Sequence, residues 1–169
     1  LPNQLTANVA PRRHPPNSSY TRILWAGSPT HKRDLAIVAP AIRNLLKKYA
    51  GKLRFTCFGE RLPEALADCY NWIDLKDPVD FDMYHDAIAT IAADFGIAPL
   101  EMNPFNESKS AIKALEYAAA GYPMLLSPVG ELIAWRDTVR RRAAEGRTTT
   151  AHLPSPQDTG AAAYPQLKL

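Results

Sequence analysis

Cysteine is scarce in this 169-residue chain, which has only Cys57 and Cys69. Their spacing fits no metal-binding pattern, and no local signature joins either thiol to a histidine as a nucleophile. Cys57 falls inside an apolar run that reads as a buried strand, so reduced, structural thiols in a cytosolic protein are the economical expectation. Long apolar stretches are missing as well. No run reaches the length of a membrane-spanning helix and no signal peptide is visible, which points to a soluble chain. The four histidines, His14, His31, His85 and His152, are scattered; neither a metal nor a cofactor is expected. Charge of one sign is not in excess either. Twenty Lys and Arg against 17 Asp and Glu leave +3, too little to argue for a nucleic-acid partner or a membrane surface.

What is present is patterned hydrophobicity. With 46% of its residues hydrophobic, a chain of this length sits in the one-domain range and can bury a core. Short apolar runs at Arg22–Ala26, Leu53–Gly59, Asn71–Leu75, Phe95–Leu100 and Pro123–Ser127 are bounded by Gly, Pro, Asp or Ser and read as strands. Helical patterns separate most of them: Asp34–Tyr49, with Leu35, Val38, Ile42, Leu45 and Tyr49 at helical spacing, then Phe81–Ala93 and Val129–Ala144. Alternating strands and helices predict an α/β, three-layer Rossmann-like domain with a mainly parallel sheet. Its ligand crevice would lie beyond the carboxyl ends of the strands, at Gly27-Ser28, Gly59-Glu60, Glu101-Met102-Asn103 and Ser127-Pro128. The expected limits are 20–145. Residues 1–19, with Pro11, Pro15 and Pro16, read as a linker, and 146–169 as an irregular tail.

The densest local signal is Phe105 to Pro123, FNESKSAIKALEYAAAGYP. Asn106, Ser108 and Ser110 favour a helix start, Ala111–Ala120 is rich in helix formers, Gly121 fits a left-handed cap and Pro123 prevents continuation. With Ser108 as cap, the N–H groups of Lys109, Ser110 and Ala111 would be open, and Lys109, Lys113 and Glu116 would share a stripe beside Ile112, Leu115 and Ala119. Periodicity alone leaves two arrangements open. The polar stripe lines a cleft, or it is a solvated face carrying an ordinary i,i+3 ion pair. Arg136, Arg140, Arg141 and Arg142 read as solvated residues at a helix C-terminus, and Tyr70, Trp72 and Trp135 as core or domain-interface aromatics.

The same string resembles the donor-binding segment of two-domain, Rossmann-like retaining glycosyltransferases, especially the bacterial group that builds cell-surface polysaccharides. Phe105, Asn106, Lys109, Ser110, Lys113, Leu115, Glu116, Tyr117, Ala119, Gly121 and Pro123 fill a variant of that family's Glu-x7-Glu motif. Upstream, Gly27-Ser28-Pro29-Thr30-His31-Lys32-Arg33 is similar to its first glycine loop, and Leu1-Pro2-Asn3 to its interdomain hinge. The resemblance implies a metal-independent donor half that takes a nucleotide-diphosphate sugar. A missing N-terminal domain would hold a glycan or lipid-linked acceptor, and the full-length protein would be cytoplasmic, with room for contact at the inner face of the membrane. Glu116 would accept from the ribose hydroxyls; the N–H groups of Lys109 and Ser110, with Lys113 or Lys32 and Arg33, would hold the diphosphate, and Ser108, Gly27, Ser28 and His31 would complete the donor-nucleotide site. The sequence departs from the motif at Ser108, where the first glutamate belongs. The variant tolerates this, but together with the absent acceptor half it keeps open an alternative, a non-catalytic nucleotide-binding or assembly domain of α/β type. An unrelated doubly wound regulatory domain would show no nucleotide response at all.

Overall fold

The computed structural model describes residues 19–146. The linker expected over 1–19, apart from its last residue, the hinge at Pro2-Asn3, and the tail expected over 146–169, apart from its first, lie outside the described residues.

Five strands, β1 Thr21–Ala26, β2 Leu53–Phe58, β3 Ile73–Lys76, β4 Phe95–Ala98 and β5 Met124–Leu126, form one sheet in the order β3-β2-β1-β4-β5. Every pairing is parallel. A parallel sheet must be covered on both faces, and the alternation of side chains divides the core accordingly. Ile23, Trp25, Phe55, Cys57 and Ile73 point to one face, under α1 (Lys32–Lys48) and a 3-10 stretch over Glu64–Trp72. Leu24, Ala26, Phe58 and Ala98 point to the other, under α2 (Phe81–Thr90) and α4 (Ile112–Ala119). A short α3 (Pro104–Glu107) precedes α4, and α5 (Glu131–Ala144) adds Leu132 to a cluster with Ala111, Ala114 and Leu115. The expected three-layer α/β fold is therefore the observed one. Both thiols are buried and unpaired, and burial pushes that of Cys57 up to about 12.

Two local expectations are corrected. The buried ridge of α1 is Leu35, Ala39, Ile42 and Leu46, whereas Leu45 and Tyr49 are 41% and 44% exposed. The series ending at Tyr49 advances about 3.5 residues per turn, a supercoil period; a straight helix follows 3.6 and drifts off it. The second concerns Ser108. It closes α3, which is capped at its start by the Asn103 side chain accepting from Asn106 N at 2.8 Å, and the cap position of α4 is Ala111. Pro104 explains the split, because it suits a helix's first turn and so begins a turn of its own upstream of the alanine-rich run. The far end of α4 matches its sequence. Gly121 has φ +77°, its N–H meets Ala118 O at 3.0 Å and that of Tyr122 meets Tyr117 O at 2.8 Å, the two bonds of a Schellman cap.

The strand ends also fix one glycine. Gly59, at φ +90°, would place a Cβ 2.6 Å from the Gly27 carbonyl oxygen. Gly59→Ala is expected to destabilise the domain by about 1–3 kcal/mol, combining backbone strain with a clash that no side-chain rotation relieves. Urea denaturation checks this, and a loss below about 0.5 kcal/mol would count against the close approach of the two loops.

Candidate functional site

Between β1 and β4 the strand order reverses, and chain connections leave on opposite faces, so the loops after these strands open a crevice. Two clefts occupy it. One, of about 160 Å³, runs between the ends of β1 and β4 and the start of α4, with Trp25, Ala98, Leu100 and Ile112 in its walls. The other, of about 320 Å³, lies beyond Gly27, Ser28 and Gly59, against Phe58, Phe81 and Tyr84. His31 and Lys113 line both. They form the waist where the two spaces meet.

Glu116 sits on this crevice in the middle of α4, only 6% exposed. No residue of α4 is exposed, as befits a helix packed on several sides, so the polar pair is not on a wet face. Lys113 Nζ lies 2.8 Å from Glu116 Oε2 and donates to the Tyr84 hydroxyl at 2.5 Å, and that hydroxyl stands 3.4 Å from the same carboxylate oxygen. Lys113 Nζ is also 4.6 Å from the Tyr84 ring centre, and Phe58 stacks on the ring at 5.5 Å. Burial, then the Glu116 charge, drives the Tyr84 phenol far above its ordinary range, so it remains a neutral hydroxyl. Both contacts of the carboxylate fall on Oε2. Oε1 takes no hydrogen bond among the described residues and stays reachable from the cleft.

A second buried carboxylate organises the other side. Asp34, in the first turn of α1, accepts from Glu101 N at 2.9 Å and Asn106 Nδ2 at 2.7 Å through Oδ1. Through Oδ2 it meets His31 Nδ1 at 2.9 Å and Lys109 Nζ at 3.3 Å. Burial alone would raise this carboxyl, but the bonds from Glu101 N–H, His31 and Asn106 and the charge of Lys109 hold it below the ordinary value. For His31 burial dominates: with Lys109 and Lys113 beside it, it outweighs the bond to Asp34 and lowers the imidazole below 6.5.

The residues singled out in the sequence divide accordingly. Gly27, Ser28, His31, Lys109, Ser110, Lys113 and Glu116 gather around the two clefts. Ser108 is exposed and donates to Phe105 O at 2.8 Å. Lys32 is exposed at the first position of α1, and Arg33 reaches Glu101 at 3.2 Å on the outer side. The N–H groups of Lys109 and Ala111 are not open: the first meets Asn106 O at 3.2 Å, the second the Glu131 carboxylate at 3.3 Å. The helix itself begins at Ile112, and of its first turn Ile112 and Lys113 line the clefts. Lys109 does not lie on α4 at all; it reaches the site from the link before it. Asp34, Tyr84 and Glu131 went unseen as site residues, although Asp34 stands at i+3 from His31. Asp80-Phe81-Asp82, an Asp-x-Asp string, opens α2 with Asp80 in the cap position. Among the described residues no three His, Cys, Asp or Glu gather to hold a metal ion, and no helix is long and apolar enough to cross a membrane.

The chain matches no protein-family model and no curated protein sequence.

Proposed function

We propose that the domain binds a nucleotide-diphosphate sugar and is the donor half of a retaining glycosyltransferase, with a glycan or lipid-linked acceptor held by a separate domain. The observation that carries this reading is Glu116: an ionisable carboxylate buried in mid-helix, with one oxygen fixed by Lys113 and Tyr84 and the other left to a ligand. A carboxylate offers only acceptors, which suits the paired hydroxyls of a ribose. Lys113, Lys109 and His31 stand on the phosphate side of it, where charge builds as a bond from sugar to phosphate breaks. The motif resemblance over Phe105–Pro123 supports the same assignment of Glu116. A second reading, a binding domain without transfer, draws on Ser108: it stands where the motif has its first carboxylate, is exposed, and donates its hydroxyl to Phe105 O.

Uridine, guanosine, thymidine and adenosine diphosphates, tested with a chelator present, provide the check. One of them at about a hundred times its dissociation constant is expected to stabilise the fold by about 2.7 kcal/mol, read as a rise in Tm. No shift with any of the four at millimolar concentration, or strict dependence on a divalent ion, would exclude the proposal. Transfer activity is expected only when an acceptor-binding domain is joined to this one. Sugar transfer by the 169-residue chain alone would show that the division into halves is wrong.

A further inference from the structure

The 3-10 turn Pro29–His31 carries His31 from the end of β1 to the waist between the two clefts. The ring's orientation is set from below. Nδ1 lies 2.9 Å from Asp34 Oδ2 and 3.4 Å from Lys109 Nζ; the carboxylate contact is the shorter, an ionised carboxylate only accepts, and the ammonium has Oδ2 itself at 3.3 Å, so Nδ1 carries a proton. In the neutral ring the lone pair is then on Nε2, the nitrogen left for a ligand. A phosphate oxygen brings no proton to that nitrogen, and two acceptors face to face repel.

We propose that His31, held in this tautomer by Asp34, takes a proton from solvent onto Nε2 when a diphosphate enters the waist, and donates the new N–H to a phosphate oxygen. The inference rests on the nucleotide-diphosphate reading above and adds a proton to it. The charged groups around the ring make the exchange work. Asp34 from α1 stays ionised and pairs with the imidazolium; Lys109, from the link before α4, and Lys113, from α4, discourage charge on the empty site. Lys113 is itself balanced by Glu116 with Tyr84, and Glu101 faces outward to Arg33. Burial favours the neutral ring while the site is empty, and the negative charge of a bound diphosphate reverses the preference. The proton comes from water or buffer; no other bond is made or broken. His31 is the group that touches ligand, and Asp34 is a positioning residue acting through it.

The probe is inorganic pyrophosphate, which carries the chemistry common to every nucleoside diphosphate. Titration calorimetry in two buffers of different ionisation heat, from pH 6 to 8.5, counts protons taken up on binding. Wild type is expected to take up as much as one proton more than His31→Gln, and its affinity to strengthen by up to about tenfold per pH unit on going down, beyond the dependence pyrophosphate itself contributes. Asp34→Asn should flatten that pH profile; a merely structural Asp34 would weaken binding equally at every pH. Should either variant fail to fold, nitrogen NMR of wild-type His31 decides: Nδ1–H with a bare Nε2 when empty, both nitrogens protonated with pyrophosphate at neutral pH. Binding with equal proton uptake in wild type and His31→Gln, or a ring unchanged by ligand, overturns the His31 inference and leaves the nucleotide reading standing. Absence of pyrophosphate binding together with no response to the four nucleotides overturns both.

Discussion

Glu116→Gln is expected to lower affinity for a nucleoside diphosphate by about ten- to a hundredfold while leaving α4 helical. Gln and Glu have similar helix propensity, so the backbone has no reason to change. The ligand, however, exchanges an ionised acceptor for a neutral amide, and hydrogen bonds to charged groups contribute about 1.5–3 kcal/mol each. Burial adds a second effect. The side chains of Lys113 and Glu116 are 18% and 7% exposed, so neutralising Glu116 leaves an ammonium poorly hydrated beside the Tyr84 hydroxyl. A loss of about 1–3 kcal/mol of stability is expected, against about 0.5 kcal/mol or less for a solvated i,i+3 pair. Replacing both partners, Lys113→Met with Glu116→Leu, should restore much of that stability, because no buried charge is left unpaired, and still bind nothing. Calorimetric titration and urea denaturation of the three proteins separate the two roles. A folded Glu116→Gln protein with unchanged affinity would remove Glu116 from the site.

The sheet was legible because parallel strands are buried on both faces and so appear as continuous apolar runs: Ile23-Leu24-Trp25-Ala26 and Phe55-Thr56-Cys57-Phe58 are buried without a break. Helix faces were less so. On α1 the choice between Leu45 and Leu46 turns on a tenth of a residue per turn, which two adjacent leucines cannot decide. The short α3 was hidden because Asn106, Ser108 and Ser110 are all acceptable helix starts, and the cap in use, Asn103, lies ahead of them. Lys113 and Glu116 were visible as a pair because they share one helix. Their third partner, Tyr84, was not, since it lies 29 residues before Lys113 and the fold alone brings the two side chains together. Gly96 has the same character. It is a strand glycine without a local signal, yet a Cβ there would lie 2.9–3.0 Å from the Tyr117 ring, whose hydroxyl accepts from Ala26 N and donates to Ile97 O, both at 3.1 Å. Long-range partners of this kind leave no periodicity to read.

Asp34→Ala is expected to cost on the order of 3–5 kcal/mol, the largest loss among single changes at the site. Four donors converge on this carboxylate, and alanine answers none of them. The Glu101 N–H is left without its acceptor. The Asn106 amide, whose Oδ1 already takes no hydrogen bond, keeps only the Glu101 carbonyl, and Lys109, 19% exposed, loses its counter-charge. An acidic group in the first turn of α1 also complements the helix dipole. The pH dependence gives the effect a sign. Asp34 binds its proton less readily in the folded chain than in the unfolded one, so its contribution is complete above the ordinary carboxyl value of 3.8 and fades as pH falls through the lower folded value. His31 is also depressed, from 6.5, so the unfolded chain takes up that proton first and stability rises with pH across this second window as well. Urea denaturation from pH 7 down to pH 2 should find the gap between wild type and Asp34→Ala undiminished down to the ordinary carboxyl value of 3.8 and narrowing below it. Asp34→Asn, which keeps one oxygen for the two Oδ1 donors but no charge for His31 or Lys109, should lie between them. A gap that keeps its full size as the pH falls from 4 to 2 would show that shape, not the ionised carboxylate, holds this side of the crevice together.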